Sequence, residues 1–194
     1  MNHVTAYRYI YISFESFRYH MIQKCSKWVV LKEFLDEPMK KKQIREISRD
    51  IKLATTSVKL HIKRLMENKL VIEKNDDIFK YYIANFDNEQ FRFYKKINTL
   101  FKLYESGLID HLNDLCSPDA IILFGSCSKG EDTGESDIDL YLQAKEKNLD
   151  IGRYEKLMKR KIQLFFAEDF NKLPKELRNN IINGVKLDGY LKVF

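Results

Sequence analysis

At 194 residues, 44% hydrophobic and 13% aromatic, the chain has room for one ordinary folded domain or two small ones, which excludes a disordered tail. No apolar run is long enough to span a bilayer, so no membrane partner is expected. The net charge of +6 is uneven: residues 1–86 hold 17 Lys and Arg against 10 Asp and Glu, whereas residues 87–194 hold 17 against 18. All seven glycines lie at Gly107 or beyond. These shifts point to two modules with different tasks. Three widely spaced cysteines, Cys25, Cys116 and Cys127, fit reduced thiols in a cytoplasm rather than a metal cluster. The first residues interleave aromatics with Arg8, Glu15 and Arg18 and lack a basic-then-apolar leader.

Residues 1–20 form an aromatic-rich extension carrying Tyr7, Tyr9, Tyr11, Phe14, Phe17 and Tyr19. These fit an extra packed element, a dimer contact or an unstructured segment. From residue 21 the apolar period becomes helical, with Val30, Phe34 and Leu35 on one face and Pro38 as the stop. A second helix fits 42–51, with Ile44, Ile47 and Ile51 spaced by three and four. A third starts after Thr55 or Thr56, either of which can cap it, and buries Val58, Ile62 and Leu65. After Leu70 the period drops to two, predicting a hairpin over 71–83 with a polar turn at 75–77.

Three short helices and a hairpin over 21–86 resemble a winged helix-turn-helix. In that family the third helix enters the DNA major groove and the hairpin meets the flanking backbone. The exposed side of helix three carries Thr56, Lys59, His61, Lys63 and Arg64. Lys and Arg suit phosphates there, and Thr or His suits base edges. DNA is the expected partner, because the positive excess is confined to this module. A solvated basic face or a protein-contact module is the other reading, and His61 reads as an ordinary surface histidine.

Residues 87–107 predict a linking helix with a stripe of Phe93, Ile97, Leu100 and Tyr104, ending near Gly107. That stripe fits either a homodimer contact or packing against the chain's own domains. Over 108–194 the pattern is a short helix (108–116), a strand (120–124), a loop-helix (125–131) and a second strand (137–143). A helix near 151–159, a strand at 161–166 and a helix near 175–183 complete a small α/β unit.

Within it, an apolar run ends at Gly125-Ser126, and Asp137 and Asp139 follow, alternating with Ile138 and Leu140. On a strand both carboxylates project from one face, with Cα atoms about 7 Å apart. Paired carboxylates facing a Gly-Ser turn suit a divalent cation and a polyphosphate, and like charges with no cation would disfavour one another. The bland alternative is a plain turn beside a solvated strand.

The run Gly125-Ser126-Cys127-Ser128-Lys129-Gly130-Glu131, then Ser136-Asp137-Ile138-Asp139, resembles the signature of the minimal nucleotidyltransferases, a branch of the DNA polymerase β superfamily. The segment from Asn183-Gly184 to Gly189-Tyr190 is similar to that branch's close. The resemblance implies an α+β protein overall: a winged helix-turn-helix, a linking helix, and a nucleotidyltransferase-like α/β domain with a small mixed sheet. It implies Asp137 and Asp139 as catalytic metal ligands for Mg²⁺, and Gly125, Ser126 and Lys129 as contacts to an NTP such as ATP. Lys129 stands where the family often has Arg, the better bidentate partner. Ser136 caps or orients the loop. Such domains often act beside a toxin-like protein that they modify, which makes such a protein a candidate partner.

The family pattern adds a third carboxylate on a later strand, and here that place reads Gln163, a neutral side chain that cannot act as a base. Glu168 and Asp169 follow that strand. Two functions are therefore expected to compete: an Mg²⁺-dependent transferase moving NMP from NTP to an acceptor, or a catalytically degenerate, nucleotide-sensing DNA-binding regulator.

Overall fold

The computed structural model describes residues 25–76 and 79–194. The aromatic extension at 1–20 and the start of the first expected helix lie outside them. The chain divides into two compact units, one ending at Phe91 and one running from Arg92 to Phe194.

In the first unit, α1 (Ser26–Asp36) buries Val30, Leu31, Phe34 and Leu35. It ends two residues before Pro38, whose ring disfavours helical backbone in the preceding residue. The next helix, α2 (Ile44–Asp50), buries Ile47, and its first turn is closed by the Gln43 N–H donating to the Glu46 carboxylate at 3.3 Å. Val58, Ile62 and Leu65 line the inner face of α3 (Thr55–Glu67). Each such apolar side chain contributes about 1.5–3 kcal/mol by leaving water. Neither threonine caps α3, contrary to the expectation. Ala54 occupies the cap position, and the Thr55 hydroxyl instead lies 3.3 Å from Ser48 Oγ, which donates to the Leu53 carbonyl at 2.6 Å. The tight α2–α3 turn draws that hydroxyl backwards. Strands β1 (Val71–Asn75) and β2 (Lys80–Ala84) then pair antiparallel, with Glu73 opposite Tyr82. Lys42 adds a single bridge to Tyr82, through backbone bonds of 3.0 and 2.8 Å. Its buried ammonium meets Glu33 at 2.8 Å and Glu37 at 3.1 Å.

Helix α4 (Glu89–Glu105) runs through the boundary between the units. Its inner face follows the predicted stripe only in part: Leu100 packs against the core of the second unit, and the Tyr104 hydroxyl donates to the Leu187 carbonyl at 2.6 Å. Phe93 is exposed and Tyr104 marginal, whereas Lys95, Asn98 and Thr99 are buried. The pattern misleads because Lys95 has a buried counter-charge, described below, and a lysine in isolation reads as an outward residue.

The second unit continues with α5 (Leu108–Cys116), β3 (Ala120–Phe124), α6 (Gly125–Lys129), β4 (Ile138–Leu142), α7 (Gly152–Met158) and β5 (Ile162–Phe166). A 3₁₀ turn at Phe170–Lys172, α8 (Lys175–Ile182) and β6 (Val185–Gly189) follow. The mixed sheet has the order β5-β4-β3-β6, with β4 and β5 parallel and the other pairs antiparallel. Each face is covered. One buries Ile121, Leu123, Ile138, Leu140 and Leu142 with Leu108, Leu112 and Tyr154; the other buries Ile122, Phe124 and Tyr141 with Phe170 and Ile181. The sequence pattern does not mark β6 as a strand. Its polar Lys186 and Asp188 alternate with apolar residues on an edge that reaches solvent.

Candidate functional site

The fully buried strand β3 delivers the chain to Gly125, which turns at φ 71° into α6. A Cβ on Gly125 would collide with the Asp139 carboxylate, so that carboxylate lies directly over the glycine backbone. Both the left-handed φ and this close approach call for glycine. In the sheet, Phe124 pairs with Asp139 and Asp139 with Gln163, placing the three in one row. Asp137, one residue before β4, accepts a 2.5 Å hydrogen bond from Gln163 Nε2. Both aspartates and Gln163 thus gather at the end of β3, on the sheet face where Phe124 and Phe165 meet edge to face at 5.2 Å.

The electrostatics are those of a close acidic pair that a nearby arginine only partly offsets. Burial, and then the neighbouring Asp137 charge, push the Asp139 carboxyl above its ordinary range, with Arg160 opposing them. Among the described residues, no group of three or more His, Cys, Asp or Glu is gathered to hold a metal. The donors available to a hard cation are the two aspartates, supplemented by oxygens of substrate or water. That donor chemistry fits a magnesium ion.

The loop joining α6 to β4 is fastened by residues that sequence reasoning missed. Arg160 donates through Nε to the Ser136 carbonyl at 2.6 Å, through Nη1 to Asp132 at 2.7 Å, and through Nη2 to Cys127 Sγ at 3.4 Å. Asp132 is fully buried and also meets Lys95 of α4 at 3.1 Å. Cys127 Sγ in turn donates to the Asp137 carbonyl at 3.3 Å, and burial followed by the Asp132 charge pushes this thiol up to about 12. Within a run of charged and small polar residues, nothing local distinguishes Asp132 from Glu131 or Glu135; only the fold brings two cations to it. Ser136 Oγ accepts from the Thr133 N–H at 2.9 Å, which suits the loop-orienting part expected of it.

Ser126 is half-buried at the start of α6, and Lys129 is exposed at its end. Glu168 and Asp169 are exposed beyond β5, and Asp169 caps the 3₁₀ turn by accepting from the Asn171 N–H at 3.0 Å. In the first unit, Thr56, Lys59, Lys63 and Arg64 lie exposed on α3 together with Leu60. His61, on the same helix and close enough to feel the Arg64 charge, is less exposed than they are. It is half-buried, its Nδ1 has no hydrogen-bond partner among the described residues, and burial, then Arg64 and Lys27, lower its pKa.

Among the described residues, no helix is long and apolar enough to cross a membrane. No curated protein matches the chain. Residues 95–187, which include β3, α6, the Arg160-held loop and both aspartates, match the family model described as "Polymerase beta, Nucleotidyltransferase", so this part of the chain is similar to the nucleotidyltransferases of that family.

Proposed function

We propose that the second unit binds a nucleoside triphosphate with Mg²⁺ and transfers its nucleotidyl group to an acceptor. The observation that supports this most is the Asp137–Asp139 pair, with a destabilised Asp139 carboxylate lying over Gly125 inside a segment matched by a nucleotidyltransferase model. Asp137 and Asp139 would hold the ion, which when bound supplies charge neutralisation of the triphosphate oxygens. Gly125 has no side chain to displace the Asp139 carboxylate and, with Ser126 and Lys129, offers a backbone N–H, a hydroxyl and a cation to the phosphates. ATP is the first nucleotide to try, and a toxin-like protein is one class of acceptor. The first unit, with its three helices and hairpin, is read as a winged helix that meets DNA through Thr56, Lys59, His61, Lys63 and Arg64. A homodimer and a cytoplasmic location belong to the same reading.

A specific observation favours a second reading, a nucleotide-sensing regulator without turnover. Gln163 sits beside Asp139 and donates to Asp137, where the family pattern has a third carboxylate. One experiment separates the two. Labelled ATP, GTP, CTP and UTP with Mg²⁺ are offered to the protein and to candidate acceptors, using wild type, Asp137→Ala and Gln163→Asp. Transfer by wild type that Asp137→Ala abolishes supports the enzyme. Binding without transfer, converted to transfer by Gln163→Asp, supports the sensor. An absence of nucleotide binding rejects both.

A further inference from the structure

The geometry points to Arg160 as the positioning residue of this site: anchored on buried Asp132, it fixes the loop that presents Asp137. This rests on the reading that Asp137 and Asp139 hold a cation.

Three donors of one planar guanidinium reach three separate points of the segment between the Gly-Ser turn and the aspartates. They are the Ser136 carbonyl immediately before Asp137, the Asp132 carboxylate, and the Cys127 sulfur of α6. The last contact closes a circuit, because Cys127 Sγ donates to the carbonyl of Asp137 itself. The backbone on both sides of the Ser136–Asp137 peptide is therefore tied to Arg160, directly on one side and through sulfur on the other. Asp132 is suited to hold this arginine. It is fully buried and its Oδ2 takes both Arg160 and Lys95, so its departure would leave two buried cations uncompensated. Gly130 tightens the same loop, since its Cα packs on the Arg92 carbonyl with no room for a side chain. Arg160 itself needs no contact with substrate. It acts on the ligand as an outer-shell partner acts, by restricting where the carboxylate can point.

The test uses the full chain. Amide hydrogen exchange over residues 131–137 and Mn²⁺ affinity are compared among wild type, Arg160→Gln, Arg160→Lys and the core control Ile109→Val. In Arg160→Gln, residues 132–137 are expected to exchange at least about ten-fold faster while 120–124 stay protected, and Mn²⁺ affinity to fall by about ten- to a hundred-fold. Arg160→Lys is expected to recover only part of both effects, because one ammonium cannot reach all three acceptors. Ile109→Val, which loosens the core elsewhere, is expected to move neither. Wild-type exchange and wild-type Mn²⁺ affinity in Arg160→Gln would overturn the positioning role alone. If wild type takes up no Mn²⁺, the cation reading falls and the positioning role falls with it. Should Arg160→Gln fail to fold, Arg160→Lys decides: unchanged affinity overturns the role, and reduced affinity supports it.

Discussion

Each unit buries one charge that meets two opposite charges, and the two buried charges differ in sign. In the first, one ammonium (Lys42, 3% exposed) faces two carboxylates, of which Glu33 is 22% and Glu37 52% exposed. In the second, one carboxylate (Asp132, 0%) faces two cations, Lys95 at 4% and Arg160 at 14%. The first therefore has an outlet to water and the second has very little. Burial alone would lower the Lys42 pKa, but the bonds it donates to Glu33 and Glu37 outweigh that and hold the ammonium charged, pinning α1 to the strand bridge at Tyr82. The second leaves an excess of positive charge beside an acidic pair, so it serves the site as well as the fold. A buried cluster is weak evidence of stability, but the position of its surplus charge tells what it is for.

The contrast can be broken most directly by deleting each centre. Asp132→Ala strands two buried cations and is expected to cost about 3–5 kcal/mol in urea unfolding. Lys42→Met, which leaves carboxylates able to reach solvent, is expected to cost about 1–2 kcal/mol. Equal losses would remove the distinction. A smaller effect of opposite sign is expected at Asp139. Its folded pKa lies above the unfolded value, so its charge lowers stability as pH rises from 3.8 through the raised value, and that loss persists at neutral pH. Asp139→Asn should flatten that fall and raise the metal-free melting temperature by a few degrees while weakening Mn²⁺ binding. A lower melting temperature would mean that the acidic pair is not strained. In the first unit, Lys59→Ala should leave melting unchanged and reduce the slope of log affinity for DNA against log salt by about 1, the loss of one phosphate contact. An unchanged slope would leave the α3 face as a solvated surface. Smallest of all is a labelling difference: Cys25, exposed, should react with a maleimide in the native protein, while Cys127, pushed up to about 12, should stay unmodified until the loop opens.

Much of the fold was legible because apolar spacing reports burial. Val58, Ile62 and Leu65 predict the inner face of α3, and the uninterrupted apolar run at 120–124 predicts a strand, which the structure buries throughout. Asp137 and Asp139 were legible as a pair because a strand fixes alternate residues to one side. What could not be read were interactions whose partners lie far apart in sequence. Lys95, Asp132 and Arg160 come from a helix, a polar loop and the approach to β5, and each alone looks like an ordinary surface charge. The threonine cap failed for a related reason, since Ser48, seven residues away, competes for the hydroxyl. Gln163 was legible as a residue out of pattern, but its bond to Asp137 required the parallel register of β4 and β5.

Strand β6 has a consequence for synthesis on the ribosome. It covers one side of β3, yet it is translated long after it, following α6, β4, α7, β5 and α8. At ordinary elongation rates the edge of β3 stays unpaired for several seconds, on the order of the time needed to make the intervening chain. During that interval a strand made wholly of apolar residues, Ala120–Phe124, is open to pairing with another nascent chain. The late arrival of Val185–Gly189 thus sets a window in which a holdase should raise the yield of folded protein.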